Sequence, residues 1–178
     1  ARAVQALGEL GDVRSVDKLL ALASEDGNPL QDAATEAIGH LKKSPQADAV
    51  FRLLEKHAKG MGETAKRALI GLRWFDTPSA WDIVRAKANA RSMGWYYDQV
   101  RVTAAEQLRH NDDPATRDLL VKLLRTGTDY RQAVAAYNSA RRLWGKGSLE
   151  PNYHLLQNPN ALNYVYHVPD DPLDAVLK

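Results

Sequence analysis

The stretch Ala6-Leu7-Gly8-Glu9-Leu10-Gly11-Asp12-Val13-Arg14-Ser15-Val16-Asp17-Lys18-Leu19-Leu20 decides the fold, because its pattern returns along the chain. It reads as a small residue, an apolar residue and a glycine, then a short turn with Asp, then a second apolar run with paired leucines. Further copies of the first part are Ala37-Ile38-Gly39, Ala68-Leu69 with Gly71, Leu108, and Leu143-Trp144-Gly145. The anchors Leu7, Ile38, Leu69, Leu108 and Leu143 stand 31, 31, 39 and 35 residues apart. The paired residues Leu19-Leu20, Leu53-Leu54, Ile83-Val84 and Leu119-Leu120 follow at steps of 34, 30 and 36. Two registers sharing one period of this length mark a repeat architecture.

Both parts of the unit are helical by pattern. Leu30, Ala33, Ala34, Ala37, Ile38 and Leu41 fall at i, i+3, i+4, i+7, i+8 and i+11, and Ala47, Val50, Phe51, Leu54 and Ala58 follow the same rhythm. Each set draws one apolar stripe along a helix. Gly27-Asn28-Pro29, Ser44-Pro45, Gly60-Met61-Gly62, Thr77-Pro78, Asp113-Pro114 and Gly127-Thr128-Asp129 punctuate the stripes as turns. The pattern predicts nine helices near 1–10, 13–24, 30–43, 46–58, 62–74, 78–91, 95–110, 114–125 and 130–144. A helix pair cannot bury both of its faces alone, so about five units must stack around a continuous core. The expected core is Ala34, Ala37, Ile38, Leu41, Val50, Leu54, Leu69, Leu108, Leu119 and Leu123. Truncating Ile38 or Leu54 to Ala should cost about 2–5 kcal/mol. Ala65, Ala68, Ala104 and Ala140 join Ala34 and Ala37 as small residues that let helices approach closely. The unit from Gly60 to Arg91 departs from the pattern, with Trp74 and Phe75 in its turn. The longer step after it predicts a loop insertion or a longer helix.

Leu10-Gly11-Asp12-Val13-Arg14-Ser15-Val16-Asp17-Lys18-Leu19-Leu20 resembles the HEAT-repeat consensus, in the bacterial variety also seen in phycobilisome lyases. Asp98-Gln99-Val100-Arg101, with Ala104-Ala105, Leu108, Asp113-Pro114 and Leu119-Leu120, is similar to it as well. The resemblance covers about residues 1–146. It implies an all-α fold, an α-solenoid with the first helix of each unit on the convex side and the second on the concave side. It says little of activity, because such repeats serve unrelated roles. After Gly147 the chain turns polar and rich in Pro and Asn. Residues 147–178 read as an irregular C-terminal extension with a short helix near 152–157 and another beginning at 171–177. The chain opens inside a helix and ends before completing one, so a longer parent chain is expected.

Composition removes several chemistries. The 178 residues contain no cysteine, which excludes a disulfide framework, a thiolate nucleophile and a cysteine zinc site. No run of 18 apolar residues occurs, so a membrane span is not expected and the cytoplasm is the expected location. His40, His57, His110, His154 and His167 show no metal-ligand spacing. His40 and His57 sit near helix C-termini, where a cation suits the dipole. Tyr153-His154 and Tyr166-His167, with Asp170 and Asp171, do not complete a metal set. There is no G-x-S-x-G, and Gly145-Lys146-Gly147-Ser148 lacks the full phosphate-loop pattern. Asp112-Asp113 and Asp170-Asp171 precede prolines and read as helix N-caps. No catalytic residue, metal or cofactor is therefore expected, and the chain does not read as an enzyme.

The basic and aromatic residues are more informative. Trp74, Trp81, Trp95 and Trp144 have Arg73, Arg85, Arg91, Arg101, Arg141 and Arg142 nearby in sequence. Such a mixture could stack bases and hold phosphates, and some HEAT-like proteins, the alkylpurine DNA glycosylases among them, hold DNA on a concave basic face. The first and second helices are about equally basic here, however, and the net charge is only +2. A phosphate groove should be asymmetric. The leading expectation is a non-catalytic scaffold that binds a protein partner through its concave helices. The alternatives are a DNA-binding module and, after that, an accessory subunit resembling the bilin lyases. The expected binding residues are Arg101, Arg109, Arg141, Arg142 and Trp144. The arginines would supply forked hydrogen bonds, and Trp144 an apolar anchor.

Overall fold

A computed structural model describes residues 1–91, 94–126 and 130–144. Within them lie nine α-helices: α1 (Arg2–Glu9), α2 (Val16–Ser24), α3 (Gln31–Ile38), α4 (Ala47–Lys59), α5 (Gly62–Phe75), α6 (Pro78–Ala88), α7 (Trp95–Gln107), α8 (Pro114–Thr126) and α9 (Tyr130–Trp144). No strand occurs among the described residues. Short 3-10 turns, Val13–Ser15, Gly39–Leu41 and Leu108–His110, extend α2 at its start and α3 and α7 at their ends. The extension of α7 places Leu108 at the end of its helix, whereas Ile38 and Leu69 lie within or at the close of the α-helical part. The step of 39 residues thus reflects both an anchor at the end of its helix and a longer connection, residues 89–94 between α6 and α7 against 60–61 between α4 and α5. Trp74 and Phe75 belong to the last turn of α5 rather than to a loop. Phe75 turns inward onto Phe51, ring centroids 5.4 Å apart, and Trp74 stays outside.

The turn residues act as their chemistry dictates. Thr77 caps α6, its hydroxyl accepting from the Ala80 amide at 3.3 Å, with Pro78 in the first turn. The Asp113 carboxylate accepts from the Thr116 amide at 2.7 Å and starts α8. Each cap satisfies an amide left without an intrahelical partner. Arg85 is drawn into the same corner, 2.6 Å from Asp113 and 2.7 Å from Asp82.

The helices pair as α2 with α3, α4 with α5, α6 with α7 and α8 with α9. The odd-numbered members also form a row, α1 on α3, α3 on α5, α5 on α7 and α7 on α9. Every expected core residue is buried, and the core runs without interruption from Val4 to Ala140. The row is tight because small residues face each other. A methyl group on Gly8 would stand 2.6 Å from the Ala37 carbonyl oxygen, and one on Gly39 only 2.3 Å from that of Gly71. Hydrogen bonds cross the row at nearly the repeat length. Arg67 reaches Glu36 at 2.8 Å, 31 residues back. Thr64 reaches Asp32 at 2.6 Å, 32 back. Ser139 reaches the Ala105 carbonyl at 2.7 Å, 34 back. Positions 31 to 34 residues apart therefore touch along this row. The expected extension 147–178 with its two short helices, the Gly145–Ser148 stretch and the Trp95 side chain lie outside the described residues.

Candidate functional site

The odd row brings its C-terminal ends together, and each of the last four odd helices delivers a cation there. Lys42 follows the 3-10 turn after α3, Arg73 occupies the last turn of α5, Arg109 and His110 end α7, and Arg142 lies in the last turn of α9. A cation beside a helix C-terminus is favoured by the helix dipole, which explains one such residue per helix. It does not remove the repulsion among them.

Arg73 is the centre of the group. Its Nη1 donates to Gln107 Oε1 at 3.3 Å and to His110 Nε2 at 3.0 Å. Since arginine has no acceptor, Nε2 must be the unprotonated nitrogen, and the His110 ring is neutral with its proton on Nδ1. Its surroundings agree. Burial and the charges of Arg73, Arg109 and Arg142 push the His110 pKa down to about 4. Arg73 is itself shifted downward, first by burial and then by Arg109, with Arg142 adding to this and Glu36 opposing it. The Arg73 guanidinium lies over the Trp74 ring, 4.1 Å from the centroid, and His40 stacks on the same indole at 4.5 Å. Burial chiefly lowers the His40 pKa, against the pull of Glu9 and Glu36 and with a contribution from Arg73. Trp74 nevertheless keeps 41% of its surface in water.

Lys42, Arg73, Trp74, Asp76, Trp81 and His110 line a cleft of about 230 Å³. Asp76 is the carboxylate on this cleft, and it accepts the Trp81 indole N–H at 2.8 Å. Glu106 lies near Arg109, its pKa raised by burial and pulled back by Arg109 and Lys66. The Nε atoms of both Arg73 and Arg109 are buried without a hydrogen-bond partner. Two cations nearer the N-terminal end of α5 are matched. Arg67 binds Glu36 and Glu63, each at 2.8 Å, and Lys66 binds Glu63 at 2.5 Å. Among the described residues Lys42, Arg73, Arg109 and Arg142 have no carboxylate within salt-bridge distance.

The sequence-derived candidates are distributed unevenly about this cluster. Arg109 and Arg142 belong to it. Arg101 does not: it is 7% exposed, binds Asp98 at 2.9 Å and donates to Gln132 Oε1 at 2.6 Å. Gln132 in turn donates to the Ala88 carbonyl, so Arg101 ties α6, α7 and α9 together. Arg141 donates to the Tyr137 hydroxyl at 3.2 Å and lies over that ring at 5.7 Å. Trp144 is half-buried against the core, with Arg117 5.9 Å from its ring centroid. Sequence reading noticed Arg73 and Trp74 but did not join them to Lys42 and His110. The available signal was one basic residue at the end of each second helix.

Among the described residues no three His, Asp or Glu side chains stand close enough to hold a metal ion, and no helix is long and apolar enough to cross a membrane. Residues 1–25, which span α1 and α2, match the family model of the PBS lyase HEAT-like repeat. No curated protein and no solved structure matches the chain.

Proposed function

We propose that the chain continues the HEAT-like repeat of its first 25 residues through α9 as an α-solenoid of about five units, and that it works as a non-catalytic scaffold for a protein partner. The odd row forms the concave side in this reading. Its helices approach to backbone contact at Gly8–Ala37 and Gly39–Gly71, whereas α4 and α6 are the even-numbered neighbours with the most extensive contact. A stack whose one row is closer together curves toward that row.

The observation that carries the function is the unmatched cluster at Arg73, Arg109 and Arg142 beside the exposed Trp74. Folding leaves uncompensated charge there at an energetic cost, although it matches the charges of Arg67, Lys66 and Arg101 nearby. A bound partner would offset that cost. The cysteine-free sequence supplies the test, since single cysteines can be introduced for a photo-crosslinker. Sites at Lys42 and Arg142 should crosslink one partner protein in an extract of the source cells. Sites at Arg52 and Asp118, on α4 and α8, should not. Equal capture from both rows, or crosslinks to nucleic acid alone, would overturn the proposal.

A further inference from the structure

We infer that the cleft between Lys42, Arg73, Trp74 and His110, extended by Arg109 and Arg142, receives a short acidic segment of the partner polypeptide, its carboxylates on the guanidinium groups and an apolar side chain against Trp74. This rests on the reading of the odd row as the partner-binding face and adds the chemistry of what binds there.

Three features of the cluster select an anion. The first is that Arg73 and Arg109 each bury an Nε–H donor without an acceptor, as Arg101 does, but unlike Arg101 have no carboxylate on the rest of the guanidinium. A buried donor without a partner forfeits hydration with nothing in return, and an oxyanion entering the cleft would accept from such donors. The second is the set of Lys42, Arg73, Arg109 and Arg142, none with a carboxylate in salt-bridge distance among the described residues. Glu36 and Glu106 act on the group from a greater distance, and Asp76 is engaged by Trp81. The third is Trp74, whose indole is held by His40 and Arg73 yet keeps 41% of its surface in water, where an apolar side chain can rest against it.

The extent of the charge selects a peptide over a nucleic acid. A nucleic-acid strand needs a track of free cations along its backbone. Here the unmatched cations form one short edge, Lys42, Arg73, Arg109 and Arg142 at the C-terminal ends of α3, α5, α7 and α9. Nearer the N-terminal ends of the same helices Arg67 and Lys66 are closed by Glu36 and Glu63, and Arg101 by Asp98. A few carboxylates fill so short an edge, and the neighbouring surface is already neutralised.

The test is fluorescence anisotropy of the whole chain with a short labelled peptide of Glu and Asp carrying one central Leu. Binding should quench or shift the emission of Trp74, assigned by comparison with Trp74→Phe. Arg142 is exposed, so Arg142→Glu keeps the fold and should weaken peptide binding about tenfold, the equivalent of one charge-assisted hydrogen bond. Arg142→Lys should retain most of the affinity. Arg52→Glu on α4 changes the net charge equally and should leave binding unaltered. A peptide that fails to bind the wild-type chain overturns the inference, as does equal weakening by Arg52→Glu. Tighter binding of a single-stranded DNA, with the Arg142→Glu loss confined to DNA, overturns it in favour of nucleic acid. If the peptide fails but crosslinking at Lys42 and Arg142 still captures one protein, the scaffold reading survives and the acidic segment alone is refuted.

Discussion

Gly39→Ala is the sharpest test of the close-packed odd row. On helix propensity alone the change should help, since Ala is favoured over Gly by up to about 1 kcal/mol in a helix interior. Gly39 has an ordinary right-handed conformation, φ −58°, so backbone strain is no objection. The obstacle lies across the seam. The new methyl would stand 2.3 Å from the Gly71 carbonyl oxygen and 2.4 Å from its Cα, against about 3.5 Å for a normal contact. Both sides are backbone, so no side chain can swing away. The end of α3 and the middle of α5 must separate by about 1 Å, which forfeits a quarter to a half of each dispersion contact along the seam. Overpacking of this kind costs about 1–3 kcal/mol, and rigid backbone places it at the upper end. After the propensity gain, the net loss is about 2 kcal/mol, or roughly 4–8 °C in melting temperature for a chain of this size. Thermal and urea unfolding followed by circular dichroism would measure it. Gly60→Ala serves as the control, because a methyl there meets nothing closer than the His57 carbonyl at 3.2 Å. A Gly39→Ala protein as stable as the wild type would refute the seam and the curvature argued from it.

Other outcomes can be read from the same structure. His110 has a folded-state pKa of about 4 against an ordinary 6.5, so the unfolded chain takes up the proton first and stability falls as the pH is lowered through that window. Full linkage would amount to about 3 kcal/mol, reduced to about 1 kcal/mol by solvent screening at this exposed ring. His110→Gln should flatten that part of the stability profile, and an unchanged slope would contradict the assignment. Arg101→Ala should cost about 2 kcal/mol in chemical denaturation through the loss of its bonds to Asp98 and Gln132, and acidic-peptide binding should be unaffected. Arg142→Gln should raise stability by about 0.3 kcal/mol by relieving repulsion with Arg73, an effect that added salt should erase.

The sequence by itself determined the all-helical class of fold, the place of the helices among the described residues and the identity of the core, because these rest on local periodicity. Leu30 to Leu41 and Ala47 to Ala58 can bury their stripes only as helices, and the recurrence of the anchors required neighbours in register. Turn chemistry was legible for the same reason, as at Thr77-Pro78 and Asp113-Pro114. The tertiary structure decided which long side chains are matched. Arg101 and Arg109 stand on the same extended helix with the same chemistry, yet Arg101 is paired with Asp98 and Gln132 and Arg109 has no carboxylate within salt-bridge distance among the described residues. That difference depends on what the next odd helix presents, Gln132 to Arg101 and the cation Arg142 beside Arg73 and His110. Helical periodicity sorts residues by the face they occupy. Charge compensation depends on distances of a few ångströms between units, and those are settled only when Gly8, Ala37, Gly39 and Gly71 draw the helices into contact.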